Sequence, residues 1–154
     1  MRALLQRVSH AQVEVDDEVV GSCGRGFLVL LGVGPDDDDA TCERLWRKVR
    51  ALRVFDDGAG KMNLALGDVG GELLVVSQFT LYASCRHGNR PSFTGAAAPE
   101  LANRLYERFC ELAEQDVAHV GRGIFAAEMQ VSLTNDGPVT IWLDTDELDR
   151  PRRG

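Results

Sequence analysis

The residues best suited to chemistry are Ser77-Gln78-Phe79-Thr80, which place two hydroxyls and a carboxamide directly after an apolar run. That run, Leu73-Leu74-Val75-Val76, contains β-branched side chains and follows two glycines, which is typical of a buried strand. Polar groups at the end of a buried strand either satisfy nearby backbone groups or face a pocket that binds a polar ligand. The tetrapeptide alone favours the first interpretation, so a functional one needs a second motif.

That second motif is Asn135-Asp136-Gly137-Pro138-Val139-Thr140. Asn-Asp-Gly would complete an ordinary hairpin, but Pro138 follows Gly137 directly and removes a hydrogen-bond donor at the start of the next predicted strand. An X–Pro bond adopts the cis form at a cost of only about 0.5–1 kcal/mol, and the preceding glycine accepts backbone angles that other residues avoid. The pattern predicts a specially shaped turn between two strands, able to point two successive carbonyl oxygens the same way.

Two further loops have compositions that suit either a solvated connection or a binding site. Residues 56–63 are rich in turn formers and contain Met62; they form a simple hairpin or the rim of a site. Residues 85–93 carry Arg86, His87, Arg90 and Phe93 in predicted irregular backbone. This second loop is the best candidate for meeting a phosphate or a base.

The elements that must position these residues are two helices and many strands. One helix follows the Asp36–Asp39 block, whose carboxylates suit a helix start better than a cation site, and another begins near Pro99. Each carries an apolar stripe at one-face spacing, including Trp46 in the first and Phe109 in the second, which favours core packing over base stacking. Strands are predicted at 2–8, 11–16, 18–23, 27–31, 73–79, within 124–134, and at 139–143, with turns at Ser9-His10 and Asp16-Asp17.

This content predicts an α+β fold, a single β-rich domain over residues 1–154. Curled antiparallel or mixed sheets would carry two main helices on one side, as a barrel-like three-layer β-β-α sandwich. No apolar run is long enough for a membrane span and no signal-peptide core opens the chain, so we expect a soluble cytoplasmic protein.

The net charge and the placement of the cysteines and histidines limit which ligands the protein is expected to bind. A net charge of −7 argues against DNA and against a large RNA footprint, but it allows local recognition of a single-stranded end. The cysteines and histidines are scattered, which favours structural thiols in a reducing compartment over a metal site. No metal or cofactor is expected.

Taken together, the two motifs resemble the signature motifs of the D-aminoacyl-tRNA deacylases. The resemblance runs along the whole chain: it includes Arg2–Val8, Gly60-Lys61-Met62-Asn63-Leu64, and Arg90-Pro91-Ser92-Phe93, in the right order and in a chain of matching length. The family implies a β-rich fold with helices on one side. It also implies an enzyme that hydrolyses the ester between a D-amino acid and the terminal adenosine of a tRNA, and so acts on the aminoacylated 3′ end of tRNA in translation quality control.

The resemblance further implies a homodimer whose active site lies at the interface. Gly137 and Pro138 of one chain, joined by a cis bond, would face Ser77, Gln78, Phe79 and Thr80 of the other. Arg7 matches the family position that holds this turn, and Asn135 supports it. Met62, Arg86, His87, Arg90 and Phe93 are expected as possible substrate or RNA contacts.

The residues themselves leave the mechanism open between two routes. Thr80 is the obvious nucleophile, but a threonine hydroxyl needs an adjacent base, and no His or Lys stands at an evident position. The route we favour uses the backbone N–H groups around Phe79 and Thr80 to bind the oxyanion, with water attacking and the substrate's ribose 2′-hydroxyl assisting.

Three alternatives belong to other functional classes. One is a related deacylase with a trans Gly-Pro turn that accepts L-aminoacyl-tRNA. The others are a non-catalytic module that binds tRNA ends and a small Thr-dependent esterase.

Overall fold

The computed structural model describes residues 1–153, in which eight β-strands and three α-helices form the predicted α+β fold. The strands are β1 Arg2–Val15, β2 Glu18–Cys23, β3 Gly26–Gly32, β4 Phe55–Asp56, β5 Met62–Leu64, β6 Glu72–Ser77, β7 Val120–Arg122 and β8 Gln130–Asp144; the helices are α1 Asp39–Ala51, α2 Pro99–Asp116 and α3 Thr145–Leu148. No helix among these residues is long and apolar enough to cross a membrane.

Six strands form one mixed sheet that curls into an almost closed barrel. Its order is β2-β1-β3-β6-β7, and β8 pairs with β1; the β3–β6 and β6–β7 pairs are parallel and the others antiparallel. The strands at the two ends of this order, β2 and β7, lie close together. His119, just before β7, donates a 2.7 Å hydrogen bond from Nε2 to the Ser22 carbonyl of β2. A Cβ on Gly21 or Gly121 would collide with the opposite backbone, so only glycine permits this approach.

The hydrophobic core lies on both faces of β3 and β6, which explains why these strands read as unbroken apolar runs. Phe27, Val29 and Leu31 point to the helix layer, whereas Leu28 belongs to a second cluster inside the barrel. In β6, Leu73 and Val75 join the first cluster while Leu74 and Val76 join the second. Successive side chains on a strand point to opposite faces, so both faces of β6 are buried from Leu73 to Val76, just before the strand ends at Ser77.

The helix layer agrees with the sequence prediction. The Asp38 side chain accepts from the Thr41 N–H at 2.9 Å and caps α1, so the aspartate block does mark a helix start. Pro99 opens α2. Trp46 and Phe109 are buried against each other edge to face, with ring centroids 5.6 Å apart, as expected for core residues.

Three local predictions were wrong. Ser9-His10 is not a turn, because β1 continues from Arg2 to Val15 with register irregularities on both sides of Val8. The strands predicted within 124–134 and at 139–143 are not separate, because both belong to β8, which runs from Gln130 to Asp144. Strand β6 stops at Ser77 instead of Phe79. The short elements β4, β5, β7 and α3 were not predicted.

Candidate functional site

A cavity of about 600 Å³ opens beside the end of β6, within the size range of small-molecule sites. Ser77, Gln78 and Phe79 form one wall, and Phe93 forms another. The remaining lining is apolar and comes from the residue after β3, from β6, from the start of α2 and the residues before it, and from the segment that leads into β8: Val33, Val76, Ala96, Ala97, Pro99, Ala102, Phe125, Ala126, Ala127, Met129 and Val131. No lining residue is ionisable, so the cavity offers neither an acid nor a base of its own.

The chain changes direction at Gln78, where β6 gives way to a 3₁₀ helix, Phe79–Tyr82. The Gln78 N–H still reaches Leu31 O of β3 at 2.8 Å, which ties the start of the turn to the sheet. Its carboxamide Nε2 donates to Thr80 Oγ1. Gln78 therefore orients the threonine hydroxyl, and within residues 1–153 no His, Lys or carboxylate is hydrogen-bonded to that oxygen.

The backbone N–H groups of Phe79 and Thr80 have no acceptor among the described residues, because the intrahelical bonds begin with Leu81 N donating to Gln78 O at 3.2 Å. The Gln78 side chain makes no capping bond to either group. Phe79 lines the cavity and is 54% exposed. Two adjacent N–H donors are thus available to a ligand oxygen.

Arg2 holds the far end of this short helix. Its Nη1 donates to Leu81 O at 2.9 Å and its Nε to Asp144 Oδ2 at 3.1 Å, while its guanidinium lies 4.3 Å from the centre of the Tyr82 ring. Burial raises the pKa of the Tyr82 hydroxyl, so this ring stays neutral. Gly32 lies under the helix, where an added Cβ would sit 3.1 Å from Leu81 Cβ and 3.2 Å from Gln78 O.

The Gly137–Pro138 segment is a bulge within β8 rather than a hairpin between two strands. Gln6 pairs with Thr140 and Val8 with Asn135, so the residues between them loop out of the ladder. The peptide bond between Gly137 and Pro138 is cis, as the resemblance implied. Gly137 has φ +133°, which disfavours any side chain there.

Two side chains fix the shape of this bulge. Arg7, which is 7% exposed, donates from Nε to Asp136 O at 2.9 Å and from Nη1 to Val54 O at 2.7 Å. Asn135 accepts from the Val139 N–H at 2.8 Å and donates to Thr140 Oγ1 at 3.0 Å. Gly137 and Pro138 themselves are exposed and do not line the cavity of their own chain.

The other predicted contacts divide into two groups. Phe93 lines the cavity and packs edge-on against Phe79, with centroids 5.1 Å apart. Arg86, His87 and Arg90 lie in the exposed loop that leads to Phe93. Met62 is exposed on the β4–β5 hairpin and does not line the cavity, so residues 56–63 form the hairpin that the sequence allowed.

Sequence reasoning missed Phe125, Met129 and Arg2. A strand was predicted within 124–134 without placing these two residues, and the irregular backbone of residues 123–129 brings Phe125 and Met129 to the cavity wall. Arg2 appeared only as part of a matching segment. The aromatic residues Tyr82 and Trp142 that flank its guanidinium gave no local signal, because they are distant in the chain.

Comparison with known proteins finds relatives over nearly the whole chain. The family D-Tyr-tRNA(Tyr) deacylase matches residues 4–144. A D-aminoacyl-tRNA deacylase from Thermotoga petrophila is 55% identical over 148 residues, covering 96% of this chain and 99% of the relative. One from Anaeromyxobacter dehalogenans is 56% identical with the same coverage.

Two solved structures share the fold. A c-Myc DNA unwinding element binding protein has a TM-score of 0.88 at 41% identity and covers 94% of this chain and 98% of its own. A probable eukaryotic D-amino acid tRNA deacylase has a TM-score of 0.80 at 18% identity, with 92% and 97% covered.

Proposed function

The chain belongs to the D-Tyr-tRNA(Tyr) deacylase family, whose members hydrolyse esters, and on that premise we propose that it cleaves D-aminoacyl-tRNA into a free D-amino acid and tRNA. The observation that carries the proposal is the pair of unpaired backbone donors, at Phe79 and Thr80, beside an apolar cavity. The whole chain, residues 1–154, would act as one deacylase domain in the cytoplasm.

The cavity suits the terminal adenosine of the tRNA. Its walls are aromatic and aliphatic, which favours stacking on a base, and the exposed rings of Phe79 and Phe93 stand together at its side. With an adenosine in the cavity, the ester would lie near Ser77, Gln78 and Thr80. These side chains would shape the site and hydrogen-bond the substrate.

The chemical step would depend mainly on electrostatic stabilisation. An ester is already activated, so hydrolysis requires correct placement and donors for the developing oxyanion. The Phe79 and Thr80 N–H groups would supply those donors without reorganisation. Water would attack, assisted by the ribose 2′-hydroxyl of the substrate, and Thr80 would act through its hydrogen bond from Gln78 rather than as a nucleophile.

Chiral selection would come from the partner subunit of a homodimer. In one chain the Gly137–Pro138 bulge is exposed and separate from the cavity, so a second copy is needed to bring the two together. The carbonyl groups of the bulge would hold the substrate amino group and crowd one face of its α-carbon. An L side chain would collide with backbone, a D side chain would point to solvent, and glycyl-tRNA would also be cleaved.

The direct test is deacylation of matched D- and L-tyrosyl-tRNA. We expect rapid release of D-tyrosine and at least a hundredfold slower release of L-tyrosine. Equal rates would contradict chiral selection, and preferential cleavage of L-tyrosyl-tRNA would favour the related deacylase class. Binding without release would indicate a tRNA-end module, and cleavage of simple D-tyrosine esters as fast as the tRNA ester would indicate a small esterase.

Mixed dimers test whether the site is shared. A chain with Gly137→Ala keeps its cavity, whereas a chain with Ala97→Trp keeps its bulge and loses its cavity. If the two parts come from different subunits, a mixture of the inactive variants after subunit exchange regains one complete site per mixed dimer. Activity that stays at the level of the separate variants would contradict a shared site.

A further inference from the structure

Acidic residues are absent from one continuous segment of this acidic chain. The chain has 24 Asp and Glu residues, yet none lies between Leu73 and Pro99. The same segment carries Arg86, His87 and Arg90. A negatively charged ligand would therefore meet no local repulsion from these residues, although the net charge of the protein is −7.

The backbone holds these three side chains together at the tip of a closed loop. Ser84 N donates to Ser92 O at 2.7 Å and Ser92 N donates to Ser84 O at 2.9 Å. Residues 85–91 project between these two bonds and are all exposed. The base of the loop is fixed by the backbone, so the cations stay on one side of the molecule.

Neither Arg86 nor Arg90 has an acidic partner within residues 1–153. Seven other arginines lie within 4.0 Å of a carboxylate: Arg2, Arg7, Arg44, Arg50, Arg104, Arg108 and Arg122. Arg86 and Arg90 make no such contact. Their guanidinium groups are free to bind an external anion bidentately.

The loop is joined directly to the cavity. Phe93, which lines the cavity, follows Arg90 by three residues, so their Cα atoms are at most about 11 Å apart. When a nucleoside occupies the cavity, the phosphates of the preceding nucleotides must leave through its mouth. The Phe79–Phe93 pair stands at the cavity wall from which the loop extends.

We propose that residues 84–92 form a phosphate-binding loop for the single-stranded nucleotides that precede the terminal nucleoside of the RNA. Arg86 and Arg90 bind the phosphodiester oxygens, and His87 donates a further hydrogen bond. This inference rests on the proposed function, because it requires an RNA end in the cavity. It also explains how an acidic protein binds RNA, since a few local contacts are enough for a single-stranded end.

The test compares two substrates that differ only in the phosphates. D-tyrosyl-tRNA presents them, and the D-tyrosyl ester of adenosine does not. For the double variant Arg86→Gln/Arg90→Gln we expect at least a tenfold rise in KM for the tRNA with kcat unchanged, and a rate on the adenosine ester within twofold of the parent. Losing two phosphate contacts should also reduce the slope of log KM against log salt by about 1.4.

Arg47→Gln/Lys48→Gln is the matched control, because it removes the same charge from exposed residues of α1 that do not line the cavity. It should leave KM for the tRNA within twofold. The phosphate-binding loop would be overturned if KM for the tRNA were unchanged in the loop variant, or if the control raised KM as much. It would also be overturned if the loop variant lost equal activity on the tRNA and on the adenosine ester.

Failure of the proposed function is distinguishable from failure of the loop, because in the first case the parent protein itself would not cleave D-tyrosyl-tRNA. In that case the loop is tested by fluorescence anisotropy with a labelled single-stranded RNA matching the tRNA 3′ end. At least tenfold weaker binding by the loop variant than by the control supports the loop, and equal binding overturns it.

Discussion

The buried guanidinium of Arg7 donates from Nε to the main-chain oxygen of Asp136, 2.9 Å away, immediately before Gly137. Its Nη1 donates to Val54 O at 2.7 Å, so one side chain holds the bulge and the start of the β4–β5 hairpin. A lysine cannot present two N–H donors in this fixed planar arrangement. We expect Arg7→Lys to lower the free energy of unfolding by about 1.5–3 kcal/mol, the usual worth of a charge-assisted hydrogen bond.

Urea unfolding measures this loss, and D-tyrosyl-tRNA deacylation should fall with it because the bulge is released. Arg104→Lys is the control, since Arg104 makes only an exposed 3.0 Å ion pair with Asp39. Arg104→Lys should change neither the free energy of unfolding nor the rate of deacylation appreciably. Equal stability of the two variants would contradict the holding role of Arg7.

A second prediction concerns Arg2, which binds Leu81 O at the end of the 3₁₀ helix. Arg2→Lys should lower the single-turnover rate at least tenfold with little change in KM for the tRNA, because small shifts of donor groups are costly to catalysis. Arg50→Lys, which alters an exposed 2.9 Å ion pair with Asp116, is the control. A change in KM alone would show that Arg2 does not position the Phe79 and Thr80 donors.

Thr80 distinguishes the two mechanisms. Thr80→Ala removes the hydroxyl and leaves the backbone N–H groups in place, so we expect single-turnover cleavage within about tenfold of the parent. Loss of cleavage by more than a thousandfold, in a variant that still binds tRNA and unfolds cooperatively, would identify the hydroxyl as the nucleophile. Thr80→Ser should remain fully active under either mechanism.

The cap of α1 predicts an acid-sensitive contribution to stability. The hydrogen bond from the Thr41 backbone lowers the pKa of Asp38 below its ordinary value of 3.8. A lowered folded-state pKa stabilises the fold above pH 3.8 and loses that effect as the pH falls through the folded value. Asp38→Asn keeps a capping acceptor without the charge, so the urea midpoint of the parent should exceed that of the variant at pH 6 and approach it below pH 3.8.

Asp36→Asn is the control for Asp38. It removes a charge from the same aspartate block, but Asp36 lies outside α1 and is not its capping residue. Its urea midpoint should differ from that of the parent by the same small amount at pH 6 and at lower pH. If the difference between the parent and Asp36→Asn shrank as the pH falls by as much as it does for Asp38→Asn, the assignment to the Asp38 cap would be contradicted.

The burial of the cysteines predicts how many thiols of the folded chain react with a disulfide reagent. Burial raises the pKa of Cys23 to about 11 and those of Cys42 and Cys110 to about 12, whereas Cys85 is exposed. A disulfide reagent at pH 8 should therefore modify one thiol per native chain and four after denaturation. Cys85→Ser should abolish the native reaction; modification of more than one native thiol would contradict the burial of the other three.

Local sequence patterns determined much of the fold. Apolar periodicity located α1, α2, β3 and most of β6, because a stripe or run of buried side chains appears directly in the order of residues. The Asp38 cap and Pro99 likewise act through neighbours in the chain. The two motifs at Ser77–Thr80 and Asn135–Thr140 were visible for the same reason, since their unusual polar and glycine-proline content is local.

Only the tertiary structure decided how those motifs are used. Asn135–Thr140 became a bulge in one strand instead of a hairpin, because both halves of β8 pair with β1 and Arg7 binds the looped-out Asp136 carbonyl. The cavity is built from Ser77–Phe79, Phe93 and the segment before β8, whose separation along the chain hides their contact. Local sequence therefore determines side-chain types and local backbone geometry. The register of strand pairing and the enclosure of the cavity depend on contacts between residues that are distant in the chain.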